Sequence, residues 1–290
     1  MPAITDNLHR GIAFALATAL IGSTAGAASK LIASDVPISV IILIQYSLCL
    51  LLIMPSALKD RRQLYTNQTS THITRGLAGW LSFWAYFYAL NEISLIEANL
   101  LRNTAPLFVP VVLLIWGRQT IENRRWLPLI IGFVGVGCIL SPDNQSTSAV
   151  LAYWIGLGSG AALATSMVGT RRLSHTDSSQ TIMFYYFALS TLCSLPLAAS
   201  DWQGLPPLHT WPYLAYIGVS IYLAMWSYTL AYSYAKPSIV APISYFSVVF
   251  SGALGWLLWQ DIPSALSFLG IFLVVCAGAA TLALPSNIKK

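Results

Sequence analysis

The stretch that decides the fold is WLSFWAYFYALNEISLIEANLLRNTAPLFVPVV, residues Trp80 to Val112. It divides into two apolar segments joined by a short polar turn at Asn91–Ser94. The first segment is rich in aromatic side chains. The second carries Glu97, Asn99, Arg102 and Asn103 where hydrocarbon is expected. An ionisable group inside an apolar span is costly and normally faces a cavity or a partner, which makes Arg102 a candidate functional residue. The stretch also recurs: at an offset of 142, Trp84-Ala-Tyr86 falls on Trp226-Ser-Tyr228 and Ala89 on Ala231.

Composition places this pattern in a membrane. The 290 residues are 56% hydrophobic and 9% charged, with a mean hydropathy of +0.67. A soluble domain carries roughly 25% charged residues, so this chain cannot cover itself with a polar surface. Its net charge of +5 does not indicate nucleic acid, because the basic residues cluster in short loops between apolar runs. Cys49, Cys138, Cys193 and Cys276 all lie within apolar runs and read as small packing residues, not as a disulfide framework or metal cluster. Neither a metal nor another cofactor is expected.

Working outward, ten spans can be drawn: Gly11–Ile32, Ile38–Ala57, Ile73–Leu90, Leu95–Trp116, Trp126–Ser141, Ala149–Gly169, Thr181–Ala198, Trp211–Tyr234, Ser238–Trp259 and Ser264–Leu284. The first imitates a secretory signal, with Arg10, an apolar run and Ala25-Gly26-Ala27. It is kept as a span because a second-half segment matches it and the uncut reading completes the topology. With the N-terminus inside, Arg10, Lys59, Arg61, Arg62, Arg75, Arg118, Arg124, Arg125, Arg171, Arg172, Lys236, Lys289 and Lys290 fall on the cytoplasmic side. The external loops hold Asp35, Glu92, Asp143, Asp201 and Asp261 and no Lys or Arg. This bias predicts an inner-membrane protein with both termini cytoplasmic. Lys30 and Arg102 remain within spans; Lys30, near the outer end of its span, is expected to snorkel to the interface.

The repeat extends along the chain. Lys30 falls on Arg171, Ile41 on Ile182 and Pro55 on Pro196, and Cys138 falls on Cys276 at a slightly smaller offset. Each half, 1–145 and 146–290, holds five spans. An odd number inverts the second copy relative to the first. The fold expected is therefore an all-α integral membrane protein of ten transmembrane helices in two inverted five-helix repeats, forming one inseparable membrane domain. Inverted repeats recur in secondary transporters, with the solute bound near the midplane between the halves.

The chain resembles the drug/metabolite transporter superfamily in its ten-helix EamA-type branch. The resemblance is carried by Gly22-Ser23 and Lys30 in the first span, Arg75-Gly76 opening the third, and Ala89-Leu90. Ala98-x-x-Leu101-x-x-Thr104-x-Pro106-Leu107 and Gly132-x-x-Gly135-x-Gly137 complete it. It departs from the family pattern at Gln45, where members often carry a basic residue, and at Arg118-Gln119, where they often carry a Glu. The resemblance implies a carrier and not an enzyme. It also raises a nucleoside-bearing or cationic metabolite, such as S-adenosylmethionine, as an alternative solute.

The candidate substrate residues are Arg102, Asn103 and Asn99, spaced to share a helix face, and Trp84, Trp226, Tyr88, Tyr222 and Tyr245. A guanidinium can grip a carboxylate in a forked contact, which suits an amino acid or an amino-acid derivative. Trp84 and Trp226 are repeat mates near mid-span and are expected to wall the cavity. Glu97, shallower in the fourth span, is a candidate for ion coupling. Pro106, Pro110, Pro237 and Pro242 interrupt the fourth and ninth spans in matching places, a pointer to the binding region. Gly22-x-x-x-Gly26 and Gly156-x-x-x-Gly160 read as close-packing motifs.

No Walker A sequence, dinucleotide fingerprint, HExxH or serine–histidine pair at span depth is present. The expected function is secondary transport of a small organic solute, driven by an ion gradient or by solute exchange. A non-transporting membrane sensor or scaffold is the alternative from another class.

Overall fold

The computed structural model describes residues 8–59, 64–116, 123–140, 147–173, 176–234, 243–261 and 264–283. Among these residues there are helices and no strands. We number them α1 (Leu8–Leu31), α2 (Ile38–Lys59), α3 (Thr69–Glu92), α4 (Leu95–Arg102), α5 (Ala105–Ile115), α6 (Asn123–Leu140), α7 (Thr147–Leu173), α8 (Ser179–Ser200), α9 (Trp211–Tyr234), α10 (Phe246–Trp259) and α11 (Ala265–Ala283). α4 and α5 are the two halves of the fourth span, so eleven helices make ten spans. Among the described residues, six stretches are long and apolar enough to cross a bilayer by length and composition, the α4–α5 stretch among them. The chain is an all-α membrane protein.

The packing is symmetric under exchange of the halves. The broad contact of α3 with α7 answers that of α1 with α9, and α3 with α8 answers α2 with α9. α5 with α7 answers α1 with α10. The pairs α2–α8, α6–α11 and α4–α10 join each span to its own repeat mate. This is the pattern of a pseudo-twofold axis running between the halves. Residues 141–146, where the sequence divides the repeats, lie outside the described residues, as do Pro237 and Pro242.

The fourth span breaks for local reasons. Ser94 caps α4 and accepts a hydrogen bond from the Glu97 amide, while the Glu97 side chain accepts from the Ser94 amide. This reciprocal capping box satisfies two orphan amides at the helix start. Eight residues later the helix stops, because Pro106 lacks an N–H and its ring would meet the carbonyl of Arg102 four residues back. Pro106 then sits in the first turn of α5, where its missing donor costs nothing. A matching irregularity, a turn at Ser244–Tyr245, precedes α10 in the second half.

α7 is shaped to accept the break. A Cβ on Gly156 would lie 2.9 Å from Leu101. One on Gly160 would collide with the Thr104 hydroxyl and come within 2.7 Å of the Leu101 carbonyl. The close-packing reading of this glycine pair therefore holds, and what it packs against is the interrupted helix.

Candidate functional site

Arg102 ends α4 and turns toward α3. Its guanidinium carbon lies 4.0 Å from the centre of the Phe83 ring and 5.2 Å from that of Tyr86, and Nε reaches the Ser82 hydroxyl at 3.5 Å. Ser82, Phe83 and Tyr86 share one face of α3, so a single helix presents the whole cradle. Glu97 is not its partner. One Glu97 oxygen accepts from the Tyr153 hydroxyl at 2.8 Å, and the other serves the cap, including a 2.7 Å bond from the Ser94 hydroxyl. The ion-coupling candidate is thus engaged in building the start of α4.

Asn99 and Asn103 point elsewhere. The Asn99 amide donates to the Ser251 hydroxyl on α10, in a short contact. The Asn103 amide nitrogen donates to Asn99 Oδ1 at 2.8 Å and to Ser247 Oγ at 2.9 Å. Ser251 continues to Ser23 on α1 at 3.2 Å. The expectation that Arg102 and the two asparagines act together on one face is corrected here. Successive residues on a helix diverge by about 100°, so Arg102 and Asn103 face different neighbours. The asparagines join α4 to α10 and α1, and Arg102 alone faces α3.

The two repeat-mate tryptophans sit in different surroundings. Trp84 is half-buried, packs against the core and stacks on Tyr88 with centroids 5.7 Å apart. Trp226 is 48% exposed, on the stripe of Tyr216, Val219 and Leu223, with its ring edge-on to Phe14. The repeat mates therefore differ in burial, Trp84 at the margin of the core and Trp226 open. Tyr222 packs against the core from its margin. Tyr245 is buried as the residue preceding α10, and its hydroxyl has no hydrogen-bond partner among the described residues.

In the first Trp-x-Tyr pair the tyrosine lies deeper than the tryptophan. Tyr86 is buried against Arg102, and a Cβ at Gly26 on α1 would collide with its hydroxyl. Tyr228 is an electrostatic neighbour of the Arg102 guanidinium, as are Tyr46 and Tyr186. The Tyr46 and Tyr186 hydroxyls bond each other at 2.7 Å, joining α2 to α8, and the Tyr46 ring meets Phe83 edge-on at 6.0 Å. The alternation of the repeat was visible in the sequence. What it lacked was the phase of α3, which puts Tyr86 deeper than Trp84.

Two basic residues depart from their expected places. Arg75, assigned to the cytoplasmic surface, is 4% exposed. α3 begins at Thr69, a turn earlier than the drawn span, which carries Arg75 into the bundle. Just ahead of it, buried His72 holds Asp177 of the α7–α8 connection at 2.7 Å. Lys30 does not snorkel: Nζ donates to the Ile93 carbonyl at 3.1 Å, pairs with Asp261 at 3.5 Å and lies over the Trp259 ring. A polar pocket of about 370 Å³ beside this pair also touches Glu97 and Tyr153.

Comparison with known proteins settles the family. The EamA-like transporter family matches residues 9–141 and again residues 150–283. The chain belongs to the EamA-like transporter family. Among its relatives, the pseudopaline exporter of Pseudomonas aeruginosa is 30% identical over 274 residues, 94% of this chain and 96% of that protein. The riboflavin transporter of Vibrio cholerae is 30% identical over 91% of this chain and 88% of its own. An S-adenosylmethionine uptake transporter of Rickettsia bellii is 23% identical over 75% of this chain and 74% of its own. A crystal structure 16% identical superposes with a TM-score of 0.64 over 93% of this chain and 95% of its own, a likeness of fold. This EamA-like protein is accordingly a multi-pass membrane transporter of small-molecule solutes and not an enzyme.

Proposed function

We propose that this carrier moves a small organic acid, an amino acid or amino-acid derivative, across the bacterial inner membrane by alternating access. The halves 1–145 and 146–290 rock about the pseudo-twofold axis, both termini face the cytoplasm, and an ion gradient or solute exchange supplies the drive. The observation that carries the solute class is Arg102. It is a cation inside the bundle, held by two aromatic faces and a hydroxyl, with no carboxylate within ion-pair distance among the described residues.

Magnitudes support that reading. A charged side chain deep in a membrane helix costs about 2.5–3.5 kcal/mol on insertion scales. Each aromatic contact returns about 0.5–2 kcal/mol, enough to hold the guanidinium in place without consuming its outward donors. A carboxylate is the partner those donors fit. The relatives' solutes, pseudopaline, riboflavin and S-adenosylmethionine, differ so widely that family membership alone does not choose among them. A cationic solute is disfavoured because this site presents positive charge and Glu97 is already engaged.

The test uses purified protein and a panel of amino acids with their carboxyl methyl esters, read by thermal stabilisation and by uptake into proteoliposomes. Wild type should prefer at least one free acid over its ester. Losing one charged hydrogen bond corresponds to roughly 10–150-fold in affinity, so Arg102→Gln should abolish that preference. Arg102→Lys should restore part of it, since an ammonium lacks the fork. Equal loss for acid and ester in Arg102→Gln would reassign the arginine to the fold. If no solute moves, the carrier reading fails.

A further inference from the structure

Arg102 is not the only guanidinium inside the bundle. Arg75 is buried on the same face of α3, two turns nearer the α2–α3 end. Its carbon lies 3.9 Å over the Tyr186 ring, and Nε donates to Thr170 Oγ1 on α7 at 3.0 Å. Its Nη1 is buried with no hydrogen-bond partner among the described residues. No carboxylate among those residues lies within ion-pair distance of it. The three ion pairs seen there use Lys30, His72 and His209, and leave both arginines out.

The two cations address one set of groups. Both have Tyr46, Tyr186 and Tyr228 as electrostatic neighbours. The hydrogen-bonded Tyr46–Tyr186 pair stands between them, with Tyr186 beneath Arg75 and Tyr46 against the Phe83 ring that carries Arg102. The Tyr186 ring lies against Gly79, whose added Cβ would come within 2.8 Å of it. Gly79 and the Ser82–Tyr86 cradle are separated along α3 by roughly 5–10 Å at 1.5 Å per residue. A lone buried cation with an idle donor is unfavourable, and a second one nearby adds repulsion. The arrangement is relieved by a ligand that brings negative charge to both.

From this we infer that Arg75 is a second anion contact and that the solute carries two acid groups, one at Arg102 and the other at Arg75, with the Tyr46 and Tyr186 hydroxyls between. The inference rests on the organic-acid reading of Arg102 and narrows it to dicarboxylic amino acids and compounds of that shape. The close approach of Gly79 and Gly169 to Tyr186 and Arg75 keeps that end tight: a Cβ on Gly169 would lie 2.8 Å from the Arg75 side chain.

The test is a length series, aspartate, glutamate, 2-aminoadipate and 2-aminopimelate, each beside its ω-amide. Binding is measured on the intact detergent-solubilised protein. Wild type should favour at least one diacid over its amide by about 10-fold or more, with an optimum in the series. Arg75→Gln should erase that ratio and leave discrimination of the α-carboxyl ester in place, whereas Arg102→Gln should do the reverse or lose both. Equal wild-type affinity for diacids and amides overturns the inference with no variant needed. So does an Arg75→Gln protein that keeps the ratio. Either result leaves the Arg102 reading standing if esters still bind less well than acids. If Arg75→Gln does not fold, Arg75→Lys, which retains the charge but not the fork, should lower the ratio partway, and an unchanged ratio there also overturns the inference.

Discussion

Two sides of one short helix do opposite work. On one side of α4, Asn99 and Asn103 close a network with Ser247, Ser251 and Ser23 that ties the fourth span to α10 and α1. On the other side, Arg102 rests on Phe83 and Tyr86 with donors to spare. In apolar surroundings a polar group either finds partners within the protein or waits for one from outside. The satisfied side is architecture, and the unsatisfied side is the one we propose as the site. Polarity at span depth does not separate the two, and hydrogen-bond accounting does.

The sharpest way to break this comparison is to exchange the roles. Asn99→Leu removes the shared partner of Asn103 and Ser251 inside the bundle. Unpaired buried polar groups cost about 1–3 kcal/mol each, so the variant should melt several degrees below wild type in detergent. Arg102→Gln should melt close to wild type while losing the acid. If instead Asn99→Leu melts normally and loses only binding, the asparagines belong to the site and the division proposed here is wrong.

This division shows how far the sequence could be read. Ten spans, the repeat and the broken fourth span follow from hydropathy, charge bias and proline placement, because these depend on one residue or on short windows. The site depends on helix phase and on where helices start. Arg75 reads as the cytoplasmic opening of the third span because Gln68 gives α3 no side-chain cap to mark its earlier beginning. The Trp-x-Tyr repeat singles out a pair of positions and not which of them lies deeper, and in α3 it is Tyr86. Ser94-x-x-Glu97 is a capping box spelled out in sequence, and it explains Glu97 better than its charge does.

A smaller effect sharpens the comparison within α3 and α9. Tyr86→Phe removes a hydroxyl on the inner face and should weaken solute binding by a few-fold, about the worth of one neutral hydrogen bond. Trp226→Ala truncates a ring that faces outward beside Phe14. It should leave affinity within about two-fold, since among the described residues no hydrogen bond or ring contact joins it to the arginine cradle, though some stability is lost with the buried edge. A larger affinity loss from Trp226→Ala than from Tyr86→Phe would return the tryptophans to the cavity wall.

The smallest effect expected comes from a charge pair in the opposite surroundings. Asp35, in the α1–α2 connection, accepts from His209 at 2.9 Å, and both side chains are largely open to solvent. The hydrogen bond from His209, helped by one from Ser34, holds the Asp35 carboxyl below its ordinary value. A carboxyl lowered on folding stabilises the fold above its unfolded value, near 3.9, and that contribution is lost as pH falls through the folded value. The loss therefore belongs below about pH 4 and not near neutrality. Water and salt screen an exposed pair, so Asp35→Asn should shift the melting temperature at pH 6 by only about a degree. The gap between wild type and variant should close at the acid end. A shift as large as that of Asn99→Leu would mean that the pair holds the α1–α2 and α8–α9 connections together, and that exposure is a poor guide to which charges matter in this bundle.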